Sequence, residues 1–299
     1  MPFFHHDDVD IFYTIHSPAS EPEETPKSES RSKSENEDED ESKPKPKSPP
    51  VVLLHGWTCD SHDWSFQIPL LQSLKLTSII PDLRGHGRSS TPLSTYTYHE
   101  LASDIRALLH HLDLGPAVII GHSLGAILAS QLAVEDPDLV RALVLVDPVY
   151  GREPAPQDMI EAFVRDEAAP ERVVAFFDAL MYTEASLAWL KVWHARRALG
   201  ADVHMVQRHF YEGNVLTEGN WMSKERAREF LKGRNVPRLV AFGSFMGDDG
   251  EAFERSLGVD EGNGDQVVLM HELGHWLHQE DPQAFNDLLE KWMRSNGFI

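Results

Sequence analysis

A strand, a sharp turn and a helix meet near the middle of the chain, at the pentapeptide GHSLG of positions 121–125. The apolar run 117–120 before it predicts a buried strand, and the run 126–134 after it predicts a helix. A turn this tight holds its central residue in a strained backbone conformation, and side chains at the flanking positions would collide with the adjoining strand or helix. The two glycines therefore indicate a turn that presents the hydroxyl of Ser123 at the edge of a sheet.

Short apolar runs rich in valine, isoleucine and leucine recur along the chain, as is typical of strands buried on both faces of a sheet. Between them, leucines and isoleucines recur at steps of three and four residues, which predicts amphipathic helices. Strands that alternate with helices form a mostly parallel sheet covered on both sides, so the sequence predicts an α/β fold. The predicted strands cover residues 9–15, 51–54, 79–80, 117–120, 143–146, 239–242 and 267–270.

Two segments interrupt this alternation and suggest the domain boundaries. Residues 17–50 consist mainly of Ser, Glu, Lys and Pro, and they have too few apolar side chains to offset the entropy of ordering, so they predict a disordered acidic insertion. Residues 149–235 are helical in pattern and rich in aromatic side chains, some of which we expect to line an apolar pocket beneath a helical cap. The core would then comprise 1–16 with 51–148 as its first part and 236–299 as its second part.

Charge and cysteine content restrict the partners of the protein. The 48 acidic and 27 basic residues give a net charge of -21, which disfavours binding to nucleic acid or to an anionic membrane. A single cysteine, Cys59, excludes an intramolecular disulfide bond and fits a reducing compartment. The sequence also shows neither a secretory leader nor a run of about 18 apolar residues. These features predict a cytoplasmic protein.

Four motifs occur in the order found in the α/β-hydrolase family, which the chain resembles from about residue 9 onward apart from the insertion. They are the HGW motif at 55–57, the DLRGHGRS motif at 82–89, the turn at 121–125, and His275 after the strand 267–270. The resemblance implies an α/β-hydrolase fold: a mostly parallel eight-stranded sheet, flanked by helices, with an inserted helical cap.

The same resemblance implies a role for each matching residue. Ser123 would be the nucleophile, and His275 would remove its proton and return it to the leaving group. The backbone N–H groups of Trp57 and Leu124 would form the oxyanion hole, which stabilises the negative charge on the tetrahedral intermediate.

The acidic partner of the histidine departs from the common family pattern. Most members place an aspartate three residues after the glycine that ends the seventh strand, and here Gly243 plus three is Met246. Asp248 and Asp249 follow closely and would serve if the loop were longer. We favour Asp147, whose position after the sixth strand resembles that of the acid in some haloalkane dehalogenases and fungal lactone hydrolases. Its alternative role is only to turn the chain out of that strand.

The HELGH sequence at 271–275 also matches the H-E-x-x-H signature of zinc peptidases. Zinc requires both histidines on one face of a helix, whereas the preceding residues predict a strand and Gly274 weakens a helix. We therefore predict neither a metal nor a cofactor.

Together these features predict a serine hydrolase of the esterase or lactonase kind, which cleaves an acyl bond of a small apolar substrate. A serine nucleophile argues against epoxide hydrolase or dehalogenase chemistry, for which the family uses an aspartate. Acyltransferase, C–C hydrolase, lyase and cofactor-free haloperoxidase activities stay open, because fold does not decide among them. A ligand-sensing protein with a vestigial triad is a further alternative. The oligomeric state is left open.

Overall fold

The computed structural model describes residues 2–18, 48–151, 155–215 and 223–299, with only the backbone described at 214–215. The predicted disordered insertion falls mostly on residues 19–47, which lie outside the described residues. Across the described ranges, every helix is too short or too polar to span a lipid bilayer.

One sheet of eight strands forms the centre of the fold, in the order β1-β2-β4-β3-β5-β6-β7-β8. The pairs β1/β2 and β2/β4 are antiparallel, and all other neighbours are parallel. The prediction of a mostly parallel eight-stranded sheet is thus confirmed, although the sequence analysis did not identify β1. The strands are β1 (Phe3–His6), β2 (Val9–His16), β3 (Val51–Leu54), β4 (Ser78–Pro81), β5 (Ala117–His122), β6 (Val140–Val146), β7 (Arg238–Phe242) and β8 (Gln266–Leu269).

Eleven α-helices occur in the described part of the chain. They are α1 (Ile68–Ser73), α2 (Tyr98–His111), α3 (Leu124–Glu135), α4 (Gln157–Val164), α5 (Ala169–Leu180), α6 (Ala188–Leu199), α7 (Val203–Val215), α8 (Lys224–Leu231), α9 (Gly247–Arg255), α10 (Leu277–Glu280) and α11 (Pro282–Ser295).

The buried side chains form two large clusters, one on each face of the sheet. Alternate residues of β3 belong to different clusters, because successive side chains of a strand point to opposite faces. Helices α2 and α3 contribute to one cluster, and α1 and α11 contribute to the other. This arrangement covers both faces and explains why the parallel strands are continuously apolar.

Five helices, α4 to α8, lie between β6 and β7, and the described residues of this stretch contain no strand. We call these helices the helical insert. Helices α4 to α7 pack mainly on one another, as α5 does on α6 and α7, whereas α8 packs on α3. The boundaries of the cap and of the core segments stay predictions.

Candidate active site

The turn between β5 and α3 has the geometry that the two glycines predict. Ser123 has φ 52° and ψ -113°, which lies outside the conformations that side chains normally permit. A Cβ atom on Gly121 would lie 2.2 Å from the carbonyl oxygen of Gly125, and one on Gly125 would lie 2.1 Å from that of Leu54. Both positions therefore require glycine, because rigid backbone surrounds them.

Replacing Gly121 by alanine should lower the free energy of unfolding by about 3 kcal/mol or more, because the added methyl group meets backbone. Urea unfolding would measure this loss. Gly115→Ala is a matched control, since no atom lies within 4 Å of a Cβ built there, and it should leave stability nearly unchanged. Equal stability of the two variants would contradict the tight packing of the turn.

The register of two neighbouring strands brings Asp147 beside Ser123. His122 of β5 pairs with Val146 of β6, so Ser123 and Asp147 follow adjacent strand ends. Asp147 also has a left-handed backbone, with φ 43°, and its N–H donates to the carbonyl of Ala241 at 2.7 Å. Asp147 and Ser123 are therefore held by strained, hydrogen-bonded backbone rather than by open loops.

The imidazole of His275 contacts this carboxylate directly. Its Nδ1 lies 2.5 Å from Oδ2 of Asp147, and the N–H of Gly243 donates to Oδ1 at 2.9 Å. Both side chains are almost completely buried. Because Nδ1 donates to the carboxylate, Nε2 is the basic nitrogen of the neutral ring.

The competing acids lie elsewhere. Asp248 and Asp249 are exposed in the first turn of α9, and Met246 is buried just before this helix. Of the three predicted aspartates, Asp147 is the one whose carboxylate the structure brings into contact with His275. Its catalytic role stays a prediction.

Trp57 and Leu124, the predicted oxyanion-hole residues, border the same cavity as Ser123. Leu124 is the first residue of α3, and the first N–H groups of a helix have no acceptor within it. The loop that carries Trp57 passes close to Ser123, since a Cβ on Gly56 would lie 3.4 Å from that of Ser123. Both residues are thus adjacent to the serine, and their role as donors stays a prediction.

A cavity of about 540 Å³ opens between this site and the helical insert. Its walls are mostly apolar and aromatic. Three phenylalanines of the insert, Phe163, Phe176 and Phe210, contribute to it. The lining includes Trp57, Ser123, Leu124, Ile127, Val149, Phe163, Val173, Phe176, Met181, His209, Phe210 and Phe245.

Several histidines are buried in and around the site, and burial lowers their pKa values. The pKa of His209 falls from 6.5 to about 4, and that of His194 falls to about 3, in each case chiefly because the charged form loses solvation. Burial also lowers the pKa values of His86, His122 and His278. These five rings are therefore neutral in the folded protein at pH 7.

Acid should destabilise the protein through these histidines. The folded pKa values lie below those of the unfolded chain, so as the pH falls from about 6.5 toward 4 the unfolded state binds protons first and stability is lost. Each such histidine adds about 1.4 kcal/mol per pH unit to the slope. Urea unfolding at pH 7, 6 and 5 would measure this slope. A free energy of unfolding that does not change with pH would contradict the burial of these histidines.

The segment 271–275 does not form the helix that a zinc peptidase needs. Residues 271 to 274 lie in a turn between β8 and α10, where Glu272 has φ 72°. His271 is exposed, whereas His275 is buried against Asp147. The two histidines therefore do not share a helical face.

A buried polar cluster, which sequence analysis did not find, lies behind His275. Asp63, His122 and His278 each offer an atom within 4.8 Å of the others, a spacing that a metal ion would accept. Arg197 already pairs with Asp63, with Nη2 2.6 Å from Oδ1. No sequence spacing marks these residues, because they come from four distant segments.

Comparisons with known proteins agree with this architecture. A family model of the alpha/beta hydrolase fold matches residues 49–197. The chain is 33% identical over 208 residues to a non-heme chloroperoxidase from Streptomyces lividans, covering 65% of this chain and 73% of that protein. It is 28% identical over 201 residues to a soluble epoxide hydrolase from Corynebacterium sp. (strain C12), covering 65% of this chain but only 63% of that relative.

Among solved structures, the enol-lactonase from Burkholderia xenovorans LB400 superimposes with a TM-score of 0.75 at 18% identity, over 98% of this chain and 100% of that one. This similarity concerns the fold, whereas the sequence matches extend to the segment that carries the serine turn. The chain therefore belongs to the α/β-hydrolase fold family.

Proposed function

We propose that the protein is a serine hydrolase that cleaves an ester, lactone or related acyl bond of a small apolar substrate through an acyl-enzyme intermediate. The observation that carries this proposal is the contact of 2.5 Å between His275 Nδ1 and Asp147 Oδ2, next to a serine on a strained turn. A buried carboxylate that fixes the tautomer of an imidazole is the arrangement that activates a serine hydroxyl.

In the proposed reaction, Nε2 of His275 accepts the proton of Ser123 as the oxygen attacks the substrate carbonyl. The developing oxyanion receives hydrogen bonds from the N–H groups of Trp57 and Leu124, each worth about 3 kcal/mol of barrier. The imidazolium then protonates the leaving oxygen, and Asp147 stabilises its positive charge. Water, activated by the same imidazole, attacks the acyl-enzyme and releases the acid.

Epoxide opening is not favoured, although one relative bears that name. Attack of a serine oxygen on an epoxide carbon would form an ether, which has no carbonyl for water to attack. The enzyme would stop after one turnover. An acyl bond avoids this problem, because the resulting ester on Ser123 is hydrolysable.

The cavity supports the substrate class. Its apolar and aromatic lining favours burial of a hydrocarbon group next to Ser123, and its volume of about 540 Å³ suits a small molecule. We propose that the helical insert acts as a cap over this group, since Phe163, Phe176 and Phe210 come from it. The single cysteine, Cys59, is buried and supports our proposal that the enzyme works in the cytoplasm.

Labelling with a fluorophosphonate tests the nucleophile, and a panel of p-nitrophenyl esters and lactones tests the reaction. We expect one label per chain, located on Ser123, together with hydrolysis of short apolar esters. Absence of labelling in folded protein would contradict the proposal and favour a ligand-sensing role. Labelling without ester or lactone hydrolysis would favour acyl transfer or another reaction of this fold.

A further inference from the structure

The backbone of His275 is held from two sides. Its N–H donates to the carbonyl of Met181, in the helical insert, at 2.8 Å. Its carbonyl oxygen accepts from Nε2 of His122 at 3.0 Å. A carbonyl oxygen only accepts, so Nε2 of His122 carries the proton. The residue just before Ser123 is thus bonded to the residue that would activate it.

The ring of His122 has little freedom to turn. It is 1% exposed, and a Cβ on Gly56 would lie 2.8 Å from its Nδ1, so the adjacent loop leaves no space on that side. Its Nδ1 lies 3.5 Å from Oδ2 of Asp63, and neither atom has a hydrogen-bond partner among the described residues. Because the ring is neutral with its proton on Nε2, Nδ1 offers only a lone pair and is not attracted to this carboxylate. The close packing of the Gly56 loop and the bond from Nε2 to His275 therefore hold the ring in place.

Side chains from two helices, α6 and α10, hold the carboxylate of Asp63. Arg197 of α6 places Nη2 2.6 Å from Oδ1, and Gln279 of α10 donates to the same oxygen at 2.9 Å. Burial alone would raise the pKa of the Asp63 carboxyl, but the positive charge of Arg197 outweighs it, so the pKa lies well below its ordinary value. His194 of α6 donates to Oε1 of Gln279 at 3.1 Å, which orients this amide.

A metal ion is a poorer occupant of this cluster than its spacing suggests. The Arg197 guanidinium already neutralises Asp63, and it would repel a divalent cation across a few ångströms of low-dielectric interior. His278 Nε2 is also engaged, since it accepts from Gln279 at 3.3 Å. The guanidinium of Arg197 thus occupies the place that a metal ion would take beside Asp63. His122 remains hydrogen-bonded to the carbonyl of His275.

We propose that His122 is a positioning residue: its Nε2–H bond to the carbonyl of His275 holds the catalytic imidazole in line with Ser123. This inference rests on the proposed function, because it concerns the same reaction. It predicts that losing the bond lowers the rate of serine activation rather than the affinity for substrate. A displacement of about 1 Å in a catalytic group costs on the order of 100-fold in rate.

The test compares three substitutions of His122 that differ in whether the new side chain can place a hydrogen-bond donor near the carbonyl of His275. His122→Leu removes the donor, and His122→Asn carries an amide too short to reach the position of Nε2. His122→Gln places its amide nitrogen close to that position. The measurements are kcat and KM for p-nitrophenyl butyrate and the second-order rate constant for fluorophosphonate modification of Ser123. Thermal unfolding establishes that each variant is folded.

We expect His122→Leu and His122→Asn to lower kcat and the labelling rate by roughly 10- to 100-fold with little change in KM, and His122→Gln to recover most of the loss. His110→Leu, on the exposed face of α2, is the control for removal of a histidine. If His122→Leu does not fold, the comparison of Asn with Gln carries the test.

Two results would overturn the inference while leaving the proposed function intact. One is a labelling rate in the folded His122→Leu or His122→Asn variant equal to that of the unmodified protein. The other is an equal loss in Asn and Gln, which would assign the effect to packing of the ring. Failure of the unmodified protein to react with the fluorophosphonate or any ester would instead reject the proposed function.

Discussion

Replacing Ser123 by alanine should abolish ester hydrolysis, with kcat reduced by roughly a factor of a million. The hydroxyl is the group that the proposed acyl-enzyme intermediate uses, and the described residues that line the cavity include no second serine and no cysteine, threonine or lysine. The cost in stability should be small, because the change removes one oxygen and the strain at φ 52° belongs to the backbone.

Steady-state kinetics on p-nitrophenyl butyrate would measure this loss, and fluorophosphonate labelling should disappear with it. Ser73→Ala, at an exposed position in α1, deletes the same hydroxyl from another helix and should retain full activity and labelling. Substantial hydrolysis by the Ser123 variant would place the chemistry elsewhere in the molecule.

Replacing Asp147 by asparagine should lower kcat by about ten thousandfold with little change in KM. The amide has nearly the same shape as the carboxylate, but it cannot stabilise the imidazolium, and its NH₂ group favours the tautomer that puts the proton on Nε2 of His275. That tautomer cannot accept the proton of Ser123. The loss should therefore appear in the chemical step.

Asp248→Asn is the matched control for this carboxylate. Asp248 lies exposed in the first turn of α9, so neutralising it should leave kcat within about twofold of the original value, as is usual for surface changes. The pH dependence of kcat/KM would show in addition whether the basic group of the free enzyme is lost in the Asp147 variant alone. A larger loss in the Asp248 variant would reverse the assignment of the acid.

The sequence predicts the sheet well because its parallel strands are buried on both faces. Runs such as 117–120 and 143–146 are continuously apolar, and turn residues bound them. Strand β1 escapes this pattern, since Phe3–His6 alternates between exposed and half-buried positions at an edge. An edge strand of four residues buries too little surface to leave a clear signal.

The choice between Asp147 and Asp248 shows where sequence reasoning ends. Both follow predicted strands at short distance, and motif spacing alone left both open. What distinguishes them is the alignment of β5 with β6 and the start of α9 at Gly247, which turns Asp248 toward solvent. Such alignment depends on tertiary packing and not on local propensity.

The cluster behind His275 has even less sequence signal. Asp63, His122, Arg197 and Gln279 are ordinary residue types in unrelated motifs, and only the fold brings them together. His122 belongs to the serine turn, but the variable position of that motif carries no expected contact. Its bond to the carbonyl of His275 is therefore a result of the structure alone.

Because of the order of the strands, the proposed active site depends on a strand at the edge of the sheet. Ser123 and Asp147 follow central strands, whereas His275 follows β8, an edge strand, 128 residues after the aspartate. Outer strands open at lower free energy than central ones, because they have a single neighbour. If His275 is the base that we propose, local opening of β8 would stop turnover while nearly all secondary structure persists. Enzymatic activity would then report loss of structure earlier than circular dichroism does.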